Sequence, residues 1–202
     1  MKSARDSKKV SPSMGFPAWP IREAPLALIY GLIRTMKPLT VVETGVAHGA
    51  STTAILRALG ENGRGTLWSV DLANAVYETQ NRDCHRGNLG QVVDSMQGRE
   101  VGWLIDDDLR GRWRLVLGRS ADKLSNLLDE LGSIDVFLHD SEHTYENMMY
   151  EYQVSWPHIR PGGFLLSDDV DWNSAFADFA SSKNAKSRVS TSFGCIRKPT
   201  SS

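Results

Sequence analysis

Two apolar runs of this chain end in acids. The first, within VFLHDSEHTYENMMYEY (Val136 to Tyr152), ends in His139-Asp140 and continues into Glu142 and His143. The second, GGFLLSDD, ends in Asp168-Asp169. The interval from Asp140 to Asp168 fits one helical crossover between parallel strands. The acids would then end neighbouring strands about 4.8 Å apart, on the carboxyl edge where open α/β sheets bind ligands. Three carboxylates held so close repel, and need a cation, a proton or other partners. Hard oxygen ligands suit Mg²⁺, Mn²⁺ or Ca²⁺ rather than zinc. Asp140, Asp168 and Asp169 are therefore candidate metal ligands. His143 has the intrinsic pKa of a general base. Plainer roles compete: Asp168-Asp169 as a cap on the next helix, Glu142 as a first-turn acid favourable to the helix dipole, His143 as a surface helix residue.

A second constellation lies earlier. ETGVAHGAS (Glu43 to Ser51) reads as strand end, tight turn and helix start. Gly45 and Gly49 can take backbone conformations closed to other residues and let a ligand approach, and the helix that follows offers free N–H groups. Asp71 ends the next strand, where its carboxylate can accept two hydrogen bonds from a ribose diol. The pattern is E-x-G-x-x-x-G rather than G-x-G-x-x-G, which favours a nucleoside without a pyrophosphate. The alternative is a tight βα turn beside an unrelated acid.

These residues need a sheet to bring them together. Strand-like segments cover Thr40 to Gly45, Gly65 to Leu72, Trp113 to Gly118, Ile134 to Asp140 and Gly162 to Asp169. Helical patterns cover Ala50 to Leu59, Ser120 to Leu131 with Ser120 at the N-cap position, the stretch after Asp140 as far as about Trp156, and NSAFADFASS. Near-continuous apolar strands alternating with helices predict a doubly wound, mostly parallel α/β sheet. Arg188 to Lys198 reads as one terminal strand or a short hairpin. The section from Ala73 to Arg112 is long for one crossover and is expected to hold two helices, one over the site.

The 202 residues suffice for one domain with a full core. The expected organisation is a flexible tail over 1–20, without a segment of signal-peptide type, and a single domain over 21–200. APLALIYGLI is too short to span a bilayer and reads as the buried side of a helix. A net charge of −1 argues against a dedicated nucleic-acid or membrane binder. The two cysteines form no zinc-type cluster, so reduced thiols in a cytoplasmic protein are expected.

The stretch Glu43 to Gly49 resembles the first motif of class I S-adenosylmethionine-dependent methyltransferases. The similarity extends through RWRLVLGRSADKL and from Ile134 to Phe176, and is strongest toward macrocin-type and other small-molecule O-methyltransferases. It implies a Rossmann-like fold with a C-terminal hairpin, shortened in this chain. It implies that Glu43, Gly45 and Gly49 hold the methionine end of S-adenosylmethionine, that Asp71 holds the ribose, that Ser120 lies near the adenine, and that Ser51 and Asp140 also bind the cofactor. Arg119 departs from the acid that many relatives carry beside the adenine. The resemblance also places a divalent cation, Mg²⁺ by expectation, on Asp140, Asp168 and Asp169. There it would bind the acceptor hydroxyl and lower its pKa. Glu142 then competes with His143 as base, because sugar methyltransferases often carry an acid two positions after the metal ligand.

The implied activity is O-methylation of a small polar acceptor, sugar-like or phenolic. A non-catalytic nucleoside-binding module lacks a reason for the carboxylate set. A nicotinamide-dependent oxidoreductase is disfavoured by the glycine register. A homo-oligomer is compatible with the sequence but not required by it.

Overall fold

The computed structural model describes residues 23–72, 96 and 98–200. The 1–20 tail and most of the expected helical region after Ala73 lie outside the described residues. The chain runs α1 (Glu23–Met36), β1 (Thr40–Thr44), α2 (Ala50–Glu61), β2 (Thr66–Asp71), a 3₁₀ turn (Asp107–Arg112), β3 (Trp113–Leu117), α3 (Ser120–Leu131), β4 (Ile134–His139), α4 (Tyr145–Ser155), β5 (Ile159–Ser167), α5 (Ala175–Ser182), β6 (Ser187–Ser190) and β7 (Phe193–Arg197). The strands form one sheet in the order β3-β2-β1-β4-β5-β7-β6. The first five are parallel, and β7 pairs antiparallel with both β5 and β6. The chain therefore closes with the short hairpin, one of the two readings of Arg188 to Lys198.

Burial on both faces explains the unbroken apolar strands. Val41, Leu138 and Leu166 pack under α1 and α2 with Ile29, Ile33 and Leu59, whereas their chain neighbours Val42, Phe137 and Leu165 pack on the other face with Leu124, Tyr152 and Phe179. Each such buried side chain contributes roughly 1.5–3 kcal/mol of transfer free energy. Among the described residues no helix is long and apolar enough to cross a membrane.

Three local expectations change. β5 starts at Ile159, before Pro161-Gly162-Gly163; a register shift opposite Ile134 and Val136 absorbs the proline, which cannot donate to a regular ladder. Ser120 is not the cap of α3: Arg119 holds that position, and the Ser120 hydroxyl turns toward α4, 3.3 Å from Asn147 Oδ1. Asp168 and Asp169 do not cap α5, which begins after Ser174, with Asn173 Oδ1 accepting from the Ala175 amide at 2.9 Å.

Strand order reverses between β1 and β4, since β2 and β3 lie to one side and β5 to the other. That switch point opens a crevice at the carboxyl edge. The glycine turn leaves from one of its walls and Asp140 from the other.

Candidate active site

The glycine turn is held by its own chain. Gly45 (φ 82°), Ala47 (φ 46°) and Gly49 (φ 96°) all lie in the left-handed region. A Cβ on residue 45 would fall 1.8 Å from the Asp140 carbonyl oxygen, and one on residue 49 would fall 2.8 Å from Ile105 Cγ1. The space that demands glycine is thus filled by the β4 end and by the Gly102–Ile105 segment. Asp71 lies against the turn: its Oδ2 accepts from the amides of Val46 at 2.5 Å and Ala47 at 3.0 Å. The start of α2, at Gly49, has no side-chain cap, so its first-turn N–H groups stay suited to an anionic ligand group.

Glu43 and Ser51 lie beneath the turn, both buried. Glu43 Oε1 accepts from Thr52 at 2.7 Å and Ser69 at 2.6 Å, and Oε2 from Ser51 at 3.3 Å. Burial pushes the Glu43 carboxyl up to about 7, although the three hydroxyls favour its ionised form. Glu43 and Ser51 face each other, supporting the turn from below.

Across the crevice stand the acids of β4 and β5. The Asp140 amide donates to Thr44 O, and the Asp168 amide to His139 O, both at 2.9 Å, so each acid continues the parallel pairing by one step. Asp168 and Asp169 are buried, and Asp169 has φ 47°, a conformation aspartate tolerates better than most residues. Burial, then the carboxylates of Asp168 and Asp169, hold the Asp140 pKa well above the ordinary carboxylate range. The three acids sense one another, yet among the described residues they do not close into a group of three metal donors.

Glu142 and His143 lie in the loop before α4, not in its first turn. Thr144 caps that helix, its hydroxyl accepting from the Asn147 amide at 3.3 Å. The capping threonine fixes the helix start one residue after His143. Glu142 is exposed, with Thr144 Oγ1 3.3 Å from its Oε1. His143 packs against the rings of His139 (centroids 5.1 Å apart) and Trp172 (5.4 Å). Its Nε2 is 3.8 Å from Asp140 Oδ1, beyond hydrogen-bond reach, and has no hydrogen-bond partner among the described residues. Burial, with His139 adding to it, depresses the His143 pKa to about 3, so the ring is neutral.

A model of the family described as "Methyltransferase domain" matches residues 42–170, more than half of the chain and the whole span of this crevice. The chain belongs to that family. No curated protein matches it. Solved structures with the same fold include an O-methyltransferase from Bacillus cereus in complex with SAH (14% identity, TM-score 0.61, covering 90% of this chain and 84% of that one). Another is TomG from Streptomyces achromogenes, an O-methyltransferase of tomaymycin synthesis in complex with SAM (16% identity, TM-score 0.61, covering 92% and 83%). The sheet order with its antiparallel end is that of the class I S-adenosylmethionine-dependent methyltransferases.

This methyltransferase domain also carries a buried polar cluster that the sequence reading passed over. Glu151, fully buried on α4, accepts from Thr44 Oγ1 at 2.5 Å, Ser141 Oγ at 2.7 Å and Asn147 Nδ2 at 3.2 Å, and lies 2.7 Å from His139 Nδ1. Burial alone would raise its pKa; His139 and the hydroxyl donors outweigh this and hold it below the ordinary value. The signal in the sequence was a glutamate next to Tyr152, on the apolar face of its helix. Near the glycine turn, His48 packs edge-on to Trp103 (6.0 Å), over which the Arg99 guanidinium lies at 4.0 Å.

Proposed function

We propose that this domain methylates an oxygen of a small polar acceptor, using S-adenosylmethionine as donor. The observation that carries the reading is the contact of the two half-sites. Gly45 lies so close to the Asp140 carbonyl that no Cβ fits between them, and the Asp140 amide bonds to Thr44. A ligand at the turn therefore lies beside the acidic end of β4. The O-methyltransferase neighbours from Bacillus and Streptomyces support an oxygen acceptor.

The residues of the turn suit the cofactor. The uncapped start of α2, with Gly49, fits its anionic methionine end, and the Asp71 carboxylate, lying against the turn at the end of β2, fits the ribose. Glu43 and Ser51 would act through the turn, and Ser120 lies at the head of α3 on the neighbouring wall. Bound there, S-adenosylmethionine supplies an electrophilic methyl group on sulfur. Orientation and removal of the acceptor proton remain for the chain.

His143 is the better placed base. It is neutral, shielded and beside Asp140, whereas Glu142 is exposed and turned to Thr144. The neutral ring would accept the acceptor hydroxyl proton, with the Asp140 carboxyl 3.8 Å away. Trp172, 46% exposed, would wall the acceptor side. The carboxylates of Asp140, Asp168 and Asp169 are chemically suited to a hard divalent cation such as Mg²⁺, and their mutual repulsion is the physical reason to expect one. Such an ion would lower the pKa of the acceptor hydroxyl.

The test is calorimetry with S-adenosylhomocysteine (SAH), followed by turnover of hydroxylated acceptors with and without chelator. SAH is expected to bind the wild type and Asp168→Asn alike, while turnover of the variant falls by two or more orders of magnitude. No SAH binding at millimolar ligand would sink the methyltransferase reading. Full turnover of chelated protein would sink the metal alone.

A further inference from the structure

The loop from Asp140 to His143 carries the groups assigned to the acceptor side, yet the regular ladder hardly holds it. Beyond Asp140, the amides of Ser141, Glu142 and His143 make no backbone–backbone hydrogen bond among the described residues. Side chains fix the loop instead. Ser141 Oγ donates to Glu151 Oε1 at 2.7 Å, Asn147 Nδ2 to the Glu142 carbonyl at 2.9 Å, and Asn173 Nδ2 to the His143 carbonyl at 3.1 Å.

Two of these ties lead to one carboxylate, since Asn147 Nδ2 also reaches Glu151 Oε1, at 3.2 Å. The other oxygen of Glu151 takes Thr44, the last residue of β1, and faces His139, the last residue of β4. His139 in turn packs edge-on against the His143 ring. A carboxylate offers about four acceptor positions, and here donors from four places fill them: the glycine-turn strand, the acidic strand, the loop and the helix behind it. An amide or a hydroxyl at 151 could not accept all four.

We infer that Glu151 is a positioning residue for methyl transfer: by gathering Thr44, His139, Ser141 and Asn147 on one buried carboxylate, it sets where the Asp140–His143 loop presents its groups to the acceptor. The inference rests on the methyltransferase reading of the site, but the placement of the loop can be measured without turnover. Glu151 touches neither cofactor nor acceptor; it acts through the loop and through His139.

Glu151→Gln keeps the size of the side chain and replaces one acceptor oxygen with an N–H₂ group. In ¹⁵N relaxation measurements, the amides of Ser141, Glu142 and His143 should show order parameters near 0.85 in the wild type and below about 0.6 in the variant, with β1 and β4 unchanged. The value of kcat should fall roughly 10–100-fold, the effect typical of losing a residue that orients an active-site group. The SAH dissociation constant should stay within about twofold of wild type. A purely structural role would lower the fraction of protein that binds SAH while leaving kcat per bound site intact; that result overturns the inference.

If Glu151→Gln does not fold, the variant Ser141→Ala removes only the loop's own donor to Glu151. It should loosen the same amides and lower kcat in the same direction. Unchanged order parameters in whichever variant folds would overturn the proposal. A loop that loosens in a protein that never binds SAH would support the anchor and sink the methyltransferase reading.

Discussion

The two walls of the crevice handle buried charge in opposite ways. On the glycine-turn side, buried carboxylates meet neutral donors of the chain among the described residues: two backbone amides for Asp71, three hydroxyls for Glu43. On the β4–β5 side, Asp140 is crowded by Asp168 and Asp169, and the Nε2 atoms of His139 and His143 are buried without a hydrogen-bond partner among the described residues. Buried polar groups left unmatched cost free energy, and such costs collect where a protein acts on a ligand. On the proposed reading the first wall serves as the scaffold, and the second, braced from behind by Glu151, does the chemistry.

The hardest way to break this comparison is to separate the walls. Gly45→Ala places a methyl group on the Asp140 carbonyl and forces a left-handed backbone on alanine. Both effects act at the contact between β1 and β4, so the loss should exceed about 3 kcal/mol. Thermal unfolding should show a drop of roughly 10 °C, and whatever protein folds should bind no SAH. A stable Gly45→Ala variant with normal SAH affinity would mean that the two walls are independent.

Asp71 tests the first wall alone. Its Oδ2 draws the Val46 and Ala47 amides together, which shapes the turn before any ligand arrives. Asp71→Ala removes both hydrogen bonds and leaves two N–H groups to find water. With about 1.5–3 kcal/mol for hydrogen bonds to a charged group, SAH affinity should fall by one to two orders of magnitude in calorimetry. At saturating cofactor, kcat should hold within a few fold, because the β4–β5 wall is untouched. A fall in kcat with affinity preserved would reverse the roles assigned to the walls.

Much of this was legible in the sequence, for physical reasons that differ by region. The buried parallel strands announced themselves as apolar runs ending in Asp71, Asp140 and Asp168, and the crossover lengths fixed which ends would share an edge. Gly45 and Gly49 were legible as turn residues, but not the reason for them: the close neighbours are Asp140 and Ile105, distant in sequence, and no local pattern records a tertiary approach. Glu142 and His143 read as first-turn residues, whereas the cap at Thr144 starts the helix about one turn later. Glu151 escaped because a single acid in a helix ordinarily points to water; only the fold shows four donors converging on it. The nature of the acceptor left no trace, since the residues around Trp172 combine aromatic and polar groups common to many surfaces.

The finest test compares the two fully buried glutamates, one behind each wall. Glu43 has its pKa raised, to about 7, by burial. The folded state then holds a proton that the unfolded chain has already released, so its contribution is complete below about pH 4.5 and is lost as pH rises toward 7. Glu151 is shifted the other way by His139 and its hydroxyl donors. Its contribution is present above the unfolded value near 4.5 and is lost as pH falls below it. Denaturant titrations should therefore show Glu43→Gln gaining on the wild type between pH 5 and pH 8, by at most about 3 kcal/mol and nearer 1 after relaxation. Glu151→Gln should instead be costlier at pH 7 than at pH 3. Equal pH slopes for the two variants would mean that the carboxylates sit in equivalent surroundings, and the contrast between a self-matched wall and a charged anchor would fail.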